Sequence, residues 1–219
     1  DGQTQAIPVT ELAVGDIGAR MTVVRLDDGG LLLHSPIKLD DATRAALDAL
    51  GPVRAVVAPC LPHHFFVKPY LAQYPEARSY AAPGLPERRK DLRFDAVLGD
   101  EAPAQWRGQL DQLVVRGAPF MNEVALLHRA SRTLVLTDLV FNVPHEKRGP
   151  ARLFYWLVGA AGRFGPHRVV RLGIRDRAAA RRSLDALLAW DFDRVVMSHG
   201  DVLEVGGKDR LRDAFAFLP

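Results

Sequence analysis

Three features of this 219-residue sequence have side chains suited to metal or acid–base chemistry: the pair His63-His64, then Asp138, then His199. Each follows a β-prone run. His63-His64 comes after residues 53–58, Asp138 after 133–137 and His199 after 194–198. The carboxyl ends of strands along one sheet edge are where side chains from distant parts of a chain can meet. Imidazoles and a carboxylate suit zinc, which takes His nitrogens at about 2.0–2.1 Å and carboxylate oxygens at about 2.0–2.2 Å. Each feature alone has a plainer reading. Adjacent histidines before Phe65-Phe66 can cap a helix, Asp138 can be a turn carboxylate, and His199 before Gly200 can be a turn residue. Their shared place at strand ends is what favours a common site.

Other side chains rank lower. Cys60 lies in the same loop, as a nucleophile or soft ligand if a cation turns it to thiolate, otherwise as a buried filler. His34 ends a strand and can lean into the same cleft, and His145 is close to Asp138 in sequence. His128 reads as a solvated turn residue and His167 as a loop residue, while Asn122 and Glu123 read as strand-face or pocket-rim groups.

The elements that must position these residues follow from pattern. Residues 22–26 and 31–34 are β-prone runs split by Asp27-Asp28-Gly29-Gly30, which suits a hairpin. Residues 40–50 read as a helix capped by Asp40 or Asp41 and stopped by Gly51-Pro52. A buried strand over 53–58 leads to a helix over 65–73, kinked or restarted at Pro69. A strand over 77–81 and a basic helix over 86–90 come next, followed by strands over 112–116, 123–128 and 133–137. Residues 152–161 form an apolar helix candidate. Residues 176–190 are the clearest helix, capped by Asp176 with Ala180, Leu184, Leu187 and Leu188 inward. A strand over 194–198 and a helix over 208–217 complete the chain. Residues 1–20 carry little pattern and read as a lead-in to a single domain spanning 21–219, since no linker or repeat divides the rest.

Composition bounds the rest. With 48% hydrophobic and 25% charged residues the chain is an ordinary folded domain, not a disordered or collagen-like one. One Cys cannot make an internal disulfide, which points to a reducing compartment or to indifference to redox state; a cytoplasmic protein is the expectation. No apolar run approaches the ~20 residues needed to span a bilayer, and no signal-peptide pattern is present. The phosphate-binding and nucleophile-elbow motifs G-x-G-x-x-G, G-x-x-x-x-G-K-[ST] and G-x-S-x-G are absent. Between Lys147 and Arg182 ten Lys or Arg face one acid, Asp176, a bias that would steer an anionic small-molecule substrate. Little aromatic interleaving accompanies it, so nucleic acid is not the expected partner.

The order of these elements resembles the metallo-β-lactamase superfamily over roughly residues 23–217. The carriers are an early hairpin, a strand leading to a His-rich loop, a strand ending in Thr137-Asp138-Leu139 and a last strand ending in Ser198-His199-Gly200. Residues 58–64 and 122–142 look like a branch known only as a domain of unknown function. The resemblance implies an α/β fold, a four-layer αββα sandwich. The family's loop motif is H-x-H-x-D-H. Its first His falls on Pro59, and its last four positions fall on Leu61, Pro62, His63 and His64. A further family His falls near Pro119, and the Asp that ends the family's first strand is replaced by His34-Ser35-Pro36.

The resemblance implies loss of one metal site of two. The positions serving the other ion read His63, His64, Asp138 and His199, all able to bind a metal. It therefore implies a metal-dependent hydrolase with one zinc ion, or iron or manganese in its place, and with His63 and Asp138 in catalytic roles. Four protein ligands close a tetrahedral shell, so an open position requires one of them, such as His63, to turn to acid–base work. The other reading is a non-catalytic binding or scaffold module that kept the fold and lost the metal.

Overall fold

The computed structural model describes residues 10–14, 19–144 and 155–219, with the side chains of 10–14 left aside. Six strands form the first sheet in chain order: β1 Thr10–Val14, β2 Ala19–Arg25, β3 Leu31–His34, β4 Val53–Ala58, β5 Arg78–Ala81 and β6 Ala96–Val97. β1, β2 and β3 run antiparallel, and β3 to β6 run parallel. The second sheet uses β7 Leu110–Val114, β8 Val124–His128, β9 Thr133–Val135 and β12 Arg194–Val196, ordered β12-β9-β8-β7, with β12 parallel to β9. β10 Phe141–Val143 and β11 Arg163–Gly165 make a small antiparallel pair beside it.

Local chemistry explains most of these boundaries. The β2–β3 hairpin closes through Gly29 in the left-handed region (φ 79°) and Asp28, whose carboxylate accepts the Gly30 N–H. Helix α1 (Asp41–Leu50) starts where the Asp40 carboxylate accepts the Thr43 N–H at 2.8 Å. It stops at Gly51 (φ 149°), where a Cβ would lie 2.7 Å from the Gly29 carbonyl. Helix α2 spans Val67–Gln73. Pro69 does not kink it, because it falls in the first turn, where a missing N–H forfeits no helical bond.

Strand alternation sorts the side chains into three cores. Leu32, Ala55, Val57 and Tyr80 of the first sheet meet Leu110, Val124, Leu126, Val135 and Val196 of the second between the sheets. On the outer face of the first sheet, Leu31, Leu33, Val56 and Ala58 pack with Leu47, Val67, Tyr70 and Leu85 of the helices. On the outer face of the second, Leu127, Leu134 and Val195 pack with Ala180, Leu184, Leu187 and Leu211 of helices Arg177–Ala189 and Gly207–Ala214. The result is the expected four-layer αββα sandwich. Each layer follows from a period of two meeting a period of 3.6.

Several details differ from the sequence reading. Thr10–Val14 lies in the segment read as a lead-in, yet it pairs with β2 along its whole length. The strand placed at 112–116 runs from Leu110, because Trp106 and Leu110 are both fully buried and anchor its start. Of the helix expected over 152–161, residues 152–154 lie outside the described residues. Residues 155–157 are helical, and the chain then turns at Gly159 and Gly162, both with positive φ. β10, β11 and the short helix Arg168–Gly173 are too brief to show a period in sequence.

The two sheets are joined where the site lies. Arg20 N–H donates to the Ser198 carbonyl at 2.9 Å, and Val124 N–H donates to the Pro59 carbonyl at 2.8 Å. The outer edge of β12 is occupied by Leu203, which exchanges both backbone bonds with Val195 at 2.8 and 3.0 Å.

Candidate metal centre

Four strand ends supply the site. His34 and Ser35 end β3, Cys60 and His63 follow β4, Thr137 and Asp138 follow β9, and Ser198 and His199 follow β12. β3 and β4 are parallel neighbours, as are β9 and β12, so these ends lie on one side of their sheets.

Asp138 is the hub. Its Oδ1 lies 3.1 Å from His63 Nε2 and 3.3 Å from His199 Nε2, and the Cys60 thiol points at its Oδ2 at 3.9 Å. Ligand atoms of Cys60, His63 and Asp138 all fall within 4.8 Å of one another. His63 and His199 meet edge to face at 5.3 Å, and Phe141 stacks flat on His199 at 5.0 Å. Ser35 Oγ is 2.6 Å from His63 Nδ1, on the far side of the ring from Asp138.

Glu123 positions the hub. It is fully buried, and its carboxylate accepts the N–H groups of Thr137, Asp138 and Leu139 at 2.7, 2.8 and 2.9 Å. Three successive N–H groups turned onto one carboxylate fix the backbone that presents Asp138. Burial, and then the negative charge of Asp138, nonetheless raise its carboxyl above the ordinary value.

Charge is set by the same neighbours. Burial would raise the Asp138 carboxyl, but the charge of His63 and hydrogen bonds from His199 and His63 outweigh it and hold it well below the usual range. Burial works against protonation of His63, and Asp138 and Glu123 reverse that and raise it. The Cys60 thiol is driven well upward, first by burial and then by Asp138 and Glu123. It is a thiol whose sulfur accepts the Thr137 hydroxyl at 3.3 Å.

Of the sequence candidates, the fold brings His63, Asp138 and His199 together and leaves His64 apart. His64 Nδ1 bonds the Leu61 carbonyl at 2.8 Å, and its ring stacks on Phe65 at 4.5 Å. The turn after Cys60 points adjacent side chains in different directions, so two neighbouring histidines do not share one centre. His34 is buried with both ring nitrogens unpartnered, and burial followed by the charge of His63 pushes it down to about 3. His128 bonds Ser131 at 2.7 Å, and His167 caps helix Arg168–Gly173 by accepting the Val169 N–H at 3.1 Å. His145 lies outside the described residues. Asn122, left-handed at φ 45°, donates to the Pro83 carbonyl. Ser35 was not singled out by sequence, although it stands where the family's first strand ends. Glu123, read as a strand-face or pocket-rim group, is the backbone acceptor beneath Asp138.

The residues present fit a divalent ion. Ligand atoms around a tetrahedral zinc at about 2.0 Å stand roughly 3.3 Å apart, which the 3.1 and 3.3 Å separations around Asp138 match. His199 Nδ1 is buried without a hydrogen-bond partner among the described residues. The imidazole of His63, the carboxylate of Asp138 and the thiol of Cys60 come within 4.8 Å of one another, a donor set that zinc or iron accepts, and His199 approaches it through Asp138.

The family model described as "Domain of unknown function (DUF4336)" matches residues 2–153, more than half of the chain. No match was found among curated proteins. Among solved structures, the chain is similar to the DIM-1 metallo-β-lactamase, with a TM-score of 0.64 at 13% identity over 97% of this chain and 99% of that one. It is similar to a metallo-β-lactamase from Erythrobacter litoralis, with a TM-score of 0.64 at 16% identity over 95% and 91%. The metal-soaked Flv1 flavodiiron core from Synechocystis sp. PCC6803 gives a TM-score of 0.61 at 16% identity over 92% of this chain and 52% of that one. At such identities the likeness is one of fold. With the strand-end geometry and the sandwich already described, the chain belongs to the family of Domain of unknown function (DUF4336) and has the metallo-β-lactamase fold.

Proposed function

We propose that this chain is a metal-dependent hydrolase with a single ion, zinc in the first instance and iron or manganese as alternatives. His63, Asp138 and His199 would hold the ion, with Cys60 as a fourth donor and His64 outside the set. The observation that carries this reading is the approach of two imidazole nitrogens to one carboxylate oxygen, at 3.1 and 3.3 Å. When bound, a divalent ion supplies Lewis-acid polarisation of an ester, amide or phosphoryl oxygen. The side chains of His63, Asp138 and His199 keep 14%, 13% and 13% of their surface, so each is partly open to solvent. The arginines of 163–182 favour an anionic substrate. A lone buried Cys suits the cytoplasm.

Elemental analysis of protein purified without chelator is expected to find about one ion per chain, and His199→Ala is expected to lose it. No bound metal, together with no thermal shift on adding zinc, manganese or iron, overturns the reading. One observation favours the second reading, a non-catalytic module. Asp138 is already hydrogen-bonded by two imidazoles, so the site is satisfied without an ion. Metal-loaded protein inert toward ester, thioester and phosphodiester panels would favour the module.

A further inference from the structure

The Ser35 hydroxyl is 2.6 Å from His63 Nδ1, and His63 Nε2 is 3.1 Å from Asp138, so a serine, an imidazole and a carboxylate stand in line. The arrangement invites comparison with a nucleophilic triad. Its surroundings argue otherwise. Ser35 is 2% exposed, its own N–H is committed to the Val57 carbonyl, and the following Pro36 has no N–H to stabilise an oxyanion. The backbone at Ser35 nonetheless sits in the left-handed region (φ 59°), an unfavourable conformation for a non-glycine residue. Ser198, also buried and directly before His199, lies with its hydroxyl 3.3 Å from that of Ser35.

We infer that Ser35 and Ser198 form a two-hydroxyl relay that positions His63 as a metal ligand through its Nε2. The inference rests on the metal reading above and extends it. A ring that ligates through Nε2 must give up any proton there and carry its remaining one on Nδ1, where a neighbouring acceptor holds it. Ser35 Oγ is that acceptor. As found, the Ser198 hydroxyl donates to Ser35 Oγ at 3.3 Å, the pattern of the metal-free state; with an ion bound the two hydroxyls rotate and Ser35 donates to Ser198 instead. Without an ion, the ionised Asp138 carboxylate can only accept, so Nε2 carries a proton toward it. A Ser35 hydroxyl can then donate to a bare Nδ1 or accept from a protonated one, since it rotates freely about its C–O bond. The pair serves both states of the ring with no movement of heavy atoms. Both hydroxyls sit at strand ends that also carry site residues, β3 and β12, so the relay couples the two sheets to the orientation of one ligand.

The test compares wild type with Ser35→Gly and Ser198→Ala, using zinc or cobalt as the probe. Glycine relieves the positive φ, so loss of the hydroxyl is read without added backbone strain. Ser35→Gly is expected to weaken metal binding roughly 10- to 100-fold, and Ser198→Ala by a smaller factor, with metal-free melting temperatures close to wild type. Nitrogen-15-edited NMR of the zinc-loaded protein is expected to show the His63 Nδ1 proton exchanging slowly with water in wild type and faster in Ser35→Gly, a difference a purely structural serine would not produce. Wild type that binds neither metal overturns the metal reading and the relay with it. Wild type that binds while Ser35→Gly matches it within about twofold, or a zinc-loaded His63 with no proton on Nδ1, overturns the relay alone.

Discussion

At the residue scale, Glu123 and His34 do the least expected work. The Glu123 carboxylate satisfies three consecutive buried N–H groups, and Ala there would strand all three in a site closed to water. At about 1–3 kcal/mol for a buried donor left unpaired, Glu123→Ala is expected to destabilise the fold by roughly 3 kcal/mol or more, read from urea unfolding. His34 makes a pH prediction. Its ring titrates at about 3 in the fold, against an ordinary value near 6.5. Between those values the unfolded chain binds the extra proton, so stability falls as pH drops through the window, by up to about 1.4 kcal/mol per pH unit. His34→Leu is expected to flatten the decline of the urea midpoint between pH 6 and 4; an unchanged slope would show that His34 does not cause it. Residue types made Asp138, His63 and His199 legible, because strand-end position and chemistry coincide there. Glu123 was legible only as a strand-face or pocket-rim group, because its three backbone partners belong to another strand end, and the direction of the His64 ring was not legible, because side-chain direction within an irregular turn leaves no trace in composition.

At the element scale, termini and periods were the readable features. Asp40, Gly51 and Asp176 announce helix ends, and each acts there through its own bond or φ. Asp40→Ala removes the bond to the Thr43 N–H and is expected to cost about 1 kcal/mol, within the usual range for a lost N-cap. The variant should unfold at lower urea with an unchanged m-value. The short pieces were unreadable for a physical reason. β10, β11 and β6 are two or three residues long, and their pairing is decided by neighbours across the chain. The run over 152–161 looked helical because its residues are apolar; the glycines at 159 and 162 turn the chain instead, and β11 follows at once.

At the scale of the whole molecule, the layered architecture was legible because strand alternation and helix stripes each assign a face, and four layers follow once two sheets must share one core. The distances within the site were not, since they depend on how the sheets abut at Arg20–Ser198 and Pro59–Val124. An ion bound by residues from both sheets ties folding to metal. Zinc at 100 times its dissociation constant is expected to add about 2.7 kcal/mol of stability, seen as a melting temperature raised by several degrees and restored by chelator. An identical shift in His199→Ala would mean that the ion acts elsewhere.

The Leu203 strap along β12 has a bearing on solution behaviour. A sheet margin with free amide and carbonyl groups is a template for recruiting a strand from another molecule. Here the margin nearest His199 is already zipped by its own chain, so copies of the protein cannot extend one another's sheets there. Concentrated samples have that route to fibrous association closed, and the segment bearing the last imidazole is spared the distortion that strand exchange would bring.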